Sequence, residues 1–430
     1  MRWDWAWMGN GTVRGIDGPS QWTGSTETLV LTAEEQAMLT GEFGPGVRKG
    51  MEIVVALGRI YGAGRLVPVS SVQVAGVSYR NLGQAGLEFL SEWAAQGAQV
   101  RVPTTLNPAG MDLRLGSALG FSDQFVRRQR AVIDAFQRLG VRPTCTCTPY
   151  LVGNIPHVGE HVAWAESSAV SYANSVLGAR TNREGGPSAL AAAITGRTAA
   201  YGLHRDENRR ATLRVEVRCP VSTRADFGAL GYLVGKAARN RVPYFLGLEG
   251  VDSSAALKSL GAAMAASGAV ALYHVAGVTP EADGPEILAT DHEVMTVDDL
   301  RPAYEALNAD VRDIDLVWFG CPHAGLEEIA EVVRLLNGRS VRAALWITTA
   351  REMREQAEVE GLVAAVEASG GRVVADMCVV VAPMQELSFR TLATCSAKGG
   401  FYALSHAGLV TRYGAVEQCV EAAVTGRWSG

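Results

Sequence analysis

Repeated alternation of helix-period and strand-like segments is what most constrains this chain. Thr32 stands three residues before Glu35, the pattern of a reciprocal N-terminal cap, and the helix that follows meets Gly41, Gly44, Pro45 and Gly46. A longer helix is expected over 47–61, then a strand over 65–69. Helix 85–96 precedes strand 100–104, and helix 123–139 precedes strand 143–148. Helix 166–177 leads through a glycine-rich loop into helix 188–194. Strands at 213–219 and 244–248 flank a helix at 227–238. In the last third, strands 316–319, 342–347 and 373–381 alternate with helices 326–336 and 352–368. Such alternation implies an α/β fold with mainly parallel sheets and helices on both faces. A chain of 430 residues exceeds one ordinary domain. The expected division is a Trp-rich arm at 1–30, core lobes over 31–308 and a βαβαβ lobe over 309–430.

Hydrophobic residues make up 48% and charged residues 19%, enough apolar mass for a large core. The net charge of -5, without a basic stripe, argues against a nucleic-acid partner. No apolar run is long enough to span a bilayer, so no membrane association is expected. The N-terminus alternates Trp3, Trp5 and Trp7 with charged and small residues and does not read as a secretory signal. Together with Trp22, these tryptophans form an arm that either packs on the body or a partner or is a loose extension. Seven cysteines, an odd number scattered along the chain, read as free thiols or metal ligands in a reducing, cytoplasmic compartment.

In open parallel sheets ligands gather beyond the carboxyl ends of the strands, so the residues following each strand carry the functional reading. Gly320-Cys321-Pro322-His323 follows one expected strand, and another carries Asp376 and Cys378. Cys147 stands near the end of the expected strand 143–148, on the same face as Cys145. Thiols in such places are either core residues or metal ligands, and the spacing leaves both open. The run Arg180-Thr181-Asn182-Arg183-Glu184-Gly185-Gly186-Pro187-Ser188 precedes a helix. Its glycines allow close backbone approach, its free N–H groups can hold an anion, and Arg183 can add a bidentate contact or close a structural ion pair. Glu160, His161, Glu166, Ser167 and Ser168 form a polar knot beside the thiol at Cys147, and His204 follows later. Lys398, in Cys395-Ser396-Ala397-Lys398-Gly399-Gly400, is either a catalytic lysine or part of an ordinary turn.

These stretches join into a pattern. The segments 103–112, Cys147-Thr148-Pro149-Tyr150, Gly159-Glu160-His161, 166–170, 173–188, Tyr201-Gly202-Leu203-His204, Gly320-Cys321-Pro322-His323 and the Cys378 strand resemble aconitase X, the divergent branch of the aconitase superfamily. The resemblance implies a hydro-lyase that removes water from a small anionic hydroxy acid, cis-3-hydroxy-L-proline or mevalonate 5-phosphate. It implies an iron–sulfur cluster on Cys147, Cys321 and Cys378. It places catalytic candidates at Lys398, His161, Glu160, Ser168 and His204. Substrate-binding candidates are Asn182, Arg183, Gly185, Gly186, Ser188, Thr104 and Asn107. It also implies a small swivelling-domain subunit as partner, because no segment here resembles that domain. The segment Ala75-Gly76-Val77-Ser78-Tyr79-Arg80 looks like the two-subunit branch. Ala375-Asp376-Met377-Cys378 and the extra Cys395 depart from the family pattern, which keeps open a mononuclear-metal lyase or a binding subunit without a cluster.

Overall fold

The computed structural model describes residues 28–251, 253–284 and 286–429. The Trp-rich arm, with Trp3, Trp5, Trp7 and Trp22, lies outside them. The first helix, Ala33–Thr40, starts with the reciprocal cap expected of Thr32 and Glu35 and ends at Gly41 with φ 97°. Three parallel sheets follow along the chain, and among the named strands only Leu66–Pro68 and Arg197–Ala199 pair antiparallel. The first parallel sheet has the order Thr104–Leu106, Val72–Val74, Ala163–Trp164. Around it pack helices that include Pro45–Ile60, Asp123–Arg138 and Gly186–Thr195, which share one apolar cluster with all three of its strands.

The second sheet runs His274–Val275, Pro243–Leu246, Ala211–Val217, Leu288–Val297. It is covered by helices Arg224–Ala238 and Ser254–Gly268. These two helices approach so closely that a Cβ on Gly268 would stand 1.8 Å from the Gly235 carbonyl oxygen. The glycine spacing over 228–235 therefore serves helix packing. The third sheet has five parallel strands in the order Arg372–Ala375, Ala344–Thr349, Leu316–Ala324, Thr391–Thr394, Val410–Tyr413. It is clad by helices Leu326–Leu336, Arg351–Val359, Leu362–Ala368 and Val416–Thr425. Its core is apolar on both faces, as a buried parallel sheet requires. Among the described residues no helix is long and apolar enough to cross a membrane.

Four expectations are corrected here. Residues 143–148 are not a strand. Only Arg142 pairs, with Thr105, and Cys145 turns left-handed at φ 43°. The Thr144 hydroxyl accepts from Leu106 N at 3.2 Å and the Thr146 hydroxyl from Thr148 N at 3.1 Å, so side chains replace the ladder. Strand 373–381 stops at Ala375, because Asp376 takes φ 65° and turns the chain out of the sheet, so Cys378 sits on a loop. Helix 352–368 is two helices, divided at Gly361 with φ 75°. The strand expected at 100–104 lies over Thr104–Leu106 instead.

The Asp376 turn is held by charge. Arg351 donates to the carboxylate of Asp376 and, at 2.7 Å, to Asp112, both buried. Asp112 also accepts from the backbone N–H of Ala375 at 2.9 Å. The first lobe thus grips the third where the sheet ends. Arg351→Met would leave two carboxylates buried without a cation. A loss of about 3–5 kcal/mol is expected, read as a lower urea midpoint; an unchanged midpoint would show the ion pair to be dispensable.

Candidate active site

The carboxyl ends of the first and third sheets face one space. Glu166 follows strand Ala163–Trp164, and Asn107 follows Thr104–Leu106. From the third sheet, strand Leu316–Ala324 loses register between Phe319 and Ala324 and displays Cys321 on the bulge. The bulge needs Gly320: its φ is 96°, and a Cβ there would lie 2.0 Å from the Thr348 carbonyl oxygen. Ser396 and Lys398 follow strand Thr391–Thr394. Ser396 caps the short helix Ala397–Tyr402, accepting from Gly399 N at 2.9 Å and donating to the Cys321 carbonyl.

Lys398 crosses this space to the first lobe. Its ammonium pairs with Glu166 and donates to Ser168 Oγ at 3.1 Å and Ser167 Oγ at 3.3 Å. Asn107 Nδ2 adds a bond to Glu166 at 2.9 Å. Burial alone would push the Glu166 carboxyl up. The Lys398 charge and the bonds from Lys398, Asn107 and the Ser168 N–H outweigh it and hold the group at about 2. For Lys398 burial works downward, but Glu166 and the nearby thiols hold its ammonium above the usual lysine range. The pairing with Glu166 thus favours the protonated form of Lys398.

Cys147, Cys321 and Cys378 surround the pair. Cys147 and Cys321 are buried, Cys378 is partly exposed, and all three are free thiols. Each feels the charge of Lys398, and Cys321 feels both other thiols. Burial first, then the Glu166 charge, pushes the Cys147 thiol up to about 12, against Lys398 and a 3.1 Å bond from the His323 N–H. Burial likewise raises Cys321 and Cys378. As thiolates they need a bound positive group to offset that cost. Among the described residues no three His, Cys, Asp or Glu side chains are gathered closely enough to hold one metal ion. Two buried polar atoms without a partner, Asn107 Oδ1 and the Tyr150 hydroxyl, belong to the segments that carry Glu166's partner and Cys147.

Several expected site residues lie elsewhere. Glu160, His161 and Thr104 precede or begin their strands and so sit at the amino edge of the first sheet. Glu160 accepts from Ser70 Oγ at 3.1 Å and His157 N at 3.1 Å, and Thr104 donates to the Val102 carbonyl at 2.8 Å. These three residues border two separate clefts of 380 and 830 Å³. His161 and His204 share a 2.9 Å Nδ1–Nδ1 contact in the larger cleft. Burial, then His161 and two arginines, lowers His204 to about 3, so the imidazole is neutral. Asn182 uses its amide on the Tyr201 carbonyl at 3.0 Å and the Leu203 N–H at 2.8 Å, a backbone clamp rather than a ligand contact. Ser188 bonds locally to Gly185 at 2.9 Å. Gly186 makes room for the Ala75 carbonyl, which a Cβ would approach to 2.8 Å. Arg183 is exposed, without an ion pair among the described residues, on the strand edge beside Trp164. The segment 75–80 ties down the loop after Cys378. Ser78 Oγ donates to the Val381 carbonyl at 2.7 Å and Arg80 to that of Ala382 at 2.6 Å.

Family models for the first, second and third domains of aconitase X match residues 28–207, 211–305 and 314–425. The chain belongs to the aconitase X family. It is a hydro-lyase of the aconitase superfamily. It is 52% identical to the phosphomevalonate dehydratase large subunit of Methanothermobacter thermautotrophicus, across 90% of this chain and 96% of that one. Identity to the cis-3-hydroxy-L-proline dehydratase of Pseudomonas aeruginosa is 38%, across 92% of this chain but 70% of that one. The solved structure of Thermococcus kodakaraensis aconitase X in its holo-form aligns with a TM-score of 0.85 at 46% identity, covering 92% of this chain and all of that one. Within this family frame, sequence reading missed Ser396, His323 and the hub role of Glu166. The signal for Glu166 was present, since it directly follows a strand whose neighbours end at the same edge.

The pair has a pH signature. Glu166 is depressed in the folded state, so its contribution is present above the ordinary carboxylate range and fades as pH falls toward about 2. In Lys398→Met only burial remains dominant, which disfavours the charged carboxylate. The unfolding midpoint of the variant should fall furthest below wild type at neutral pH, the gap narrowing below about pH 4. A gap independent of pH would disprove the coupling.

Proposed function

We propose that this chain is the catalytic large subunit of a two-subunit dehydratase acting on phosphomevalonate, with an iron–sulfur cluster held by Cys147, Cys321 and Cys378. The observation that carries the reading is the meeting of three free thiols with the Lys398–Glu166 pair, from five separate segments, at the facing ends of two parallel sheets. The phosphomevalonate relatives support the substrate and the subunit assignment, because they are named large subunits and align over nearly their whole length. The hydroxyproline dehydratase of Pseudomonas aeruginosa extends well beyond the region this chain matches.

Such a cluster, when bound, supplies a Lewis acid that makes a hydroxyl a better leaving group. The chain's own groups do the rest. Dehydration breaks the C–O bond and a C–H bond next to the carboxylate, forms C=C and releases water. Lys398 and the ionised Glu166 fix Ser167 and Ser168 at the site wall and keep a cation near developing negative charge. In this reading exposed Arg183, beside the start of helix Gly186–Thr195, binds the phosphate or carboxylate. Neither Lys398, held protonated, nor His161, at the other sheet edge, is placed to take the proton. That acceptor comes from the small partner subunit.

The deciding experiment is iron and acid-labile sulfide analysis on protein purified without oxygen, followed by turnover of phosphomevalonate with the small subunit. Comparable iron and sulfide with water loss from that substrate is the expected result; protein that cannot be loaded with iron and sulfide refutes the cluster. Cys321→Ser should lose iron and turnover together, whereas full retention of both would remove Cys321 from the ligand set. Arg183→Ala should raise KM about 10–100-fold, the worth of one or two charge-assisted bonds, with kcat nearly unchanged. An unaltered KM would place the anion elsewhere.

A further inference from the structure

We propose that His323 is a positioning residue that sets the relative placement of the three thiol segments, an inference that rests on the ligand assignment above. His323 is buried, and its polar atoms reach every segment concerned. It lies two residues after Cys321. Its backbone N–H donates to Cys147 Sγ at 3.1 Å. Its ring Nε2 is 2.8 Å from the Met377 carbonyl oxygen, the residue before Cys378. Its ring Nδ1 is 2.9 Å from Thr146 Oγ1, the residue before Cys147. Its own carbonyl accepts from buried Lys258 at 3.1 Å, which brings in the second lobe.

The chemistry of these partners fixes the direction of the bonds. A carbonyl oxygen only accepts, so Nε2 carries the hydrogen. In the neutral ring Nδ1 then accepts from the Thr146 hydroxyl, which itself accepts from the Thr148 N–H at 3.1 Å. One imidazole therefore spans two loops that lie outside the named strands and touch neighbouring backbone through isolated bonds, Thr146 N–H to the Leu106 carbonyl at 2.9 Å and Cys378 N–H to the Ala109 carbonyl at 3.2 Å: Cys147 follows the left-handed Cys145 and Cys378 follows the left-handed Asp376. Loops built this way have little intrinsic precision, and a buried side chain bonded at both ends supplies it. Aliphatic packing cannot do the same, because it fixes no direction. Lys258 holds the histidine carbonyl from the second lobe, and Glu328 of the third lobe pairs with both Lys258 and Arg224, so the three lobes meet at this residue.

Two near-isosteric substitutions separate this role from packing. Gln reaches the place of Nε2 and keeps a donor for Met377, while Asn ends near the place of Nδ1 and loses it. In the anaerobic holoenzyme, His323→Asn should release iron to a chelator about 10–100-fold faster than wild type, the usual effect of removing an outer hydrogen-bond partner, and His323→Gln should stay within a few-fold. In metal-stripped protein, iodoacetamide should label Cys378 several-fold faster in His323→Asn, relative to the core thiol Cys419 in the same molecule. Equal labelling and equal iron release in wild type and His323→Asn would overturn the proposal. Equal damage in both variants would also overturn it, since that is the mark of packing alone. If wild-type protein holds no iron or sulfide, the cluster reading fails, and the labelling comparison still decides whether His323 positions the thiols.

Discussion

The buried pair between Lys398 and Glu166 is the interaction on which the site depends. It joins the third lobe to the first across the space where two parallel sheets end. A buried charge is tolerated only when paired and fully hydrogen-bonded, and here Asn107, Ser167 and Ser168 complete the set. The pair therefore dictates which residues can surround it. It also sets the electrostatics of the thiols. Lys398 lowers the pKa of these thiols, Glu166 raises that of Cys147 and Cys378, and burial, which raises both, is the largest influence.

A second layer keeps the loops in place. Parallel strands deliver their following residues to one edge, but they do not orient them. Asp112, Arg351 and Asp376 form one such brace, and Ser78 and Arg80 clasp the loop beyond Cys378. His323 links the thiol-bearing segments to one another. All three devices use directional polar bonds inside apolar surroundings, which is where such bonds are strongest and where a missing partner costs most. The family's chemistry is thus held by few residues, each reaching between lobes.

Much of this was legible from residue order. The capped helix at Thr32, the long helix ending near Tyr61, the helix at 123 and the alternating last third all obeyed local periodicity and came out within a few residues. The family resemblance named Cys147, Cys321 and Cys378 together, and in the fold each of these thiols lies within reach of the Lys398 charge. The failures have a common cause. Segment 143–148 is rich in β-branched threonine and reads as a strand, yet its hydroxyls satisfy the backbone instead. Asp376 leaves the sheet because of a charge on a helix 25 residues earlier, which periodicity does not register. Asn182, Ser188 and Gly186 also serve a tight turn against neighbouring backbone, a use that residue type does not separate from ligand contact.

The sequence by itself determined the α/β class and the family, because these follow from local periodicity and from contiguous motifs. Tertiary structure alone decided which polar residues share a site. Glu160, His161 and Glu166 are neighbours in the chain, but a two-residue strand between them sends the first two to one sheet edge and the third to the other. Glu166 and Lys398 are 232 residues apart, yet they touch. Contact between distant segments depends on how sheets stack and which charges demand burial together, and no local pattern encodes that.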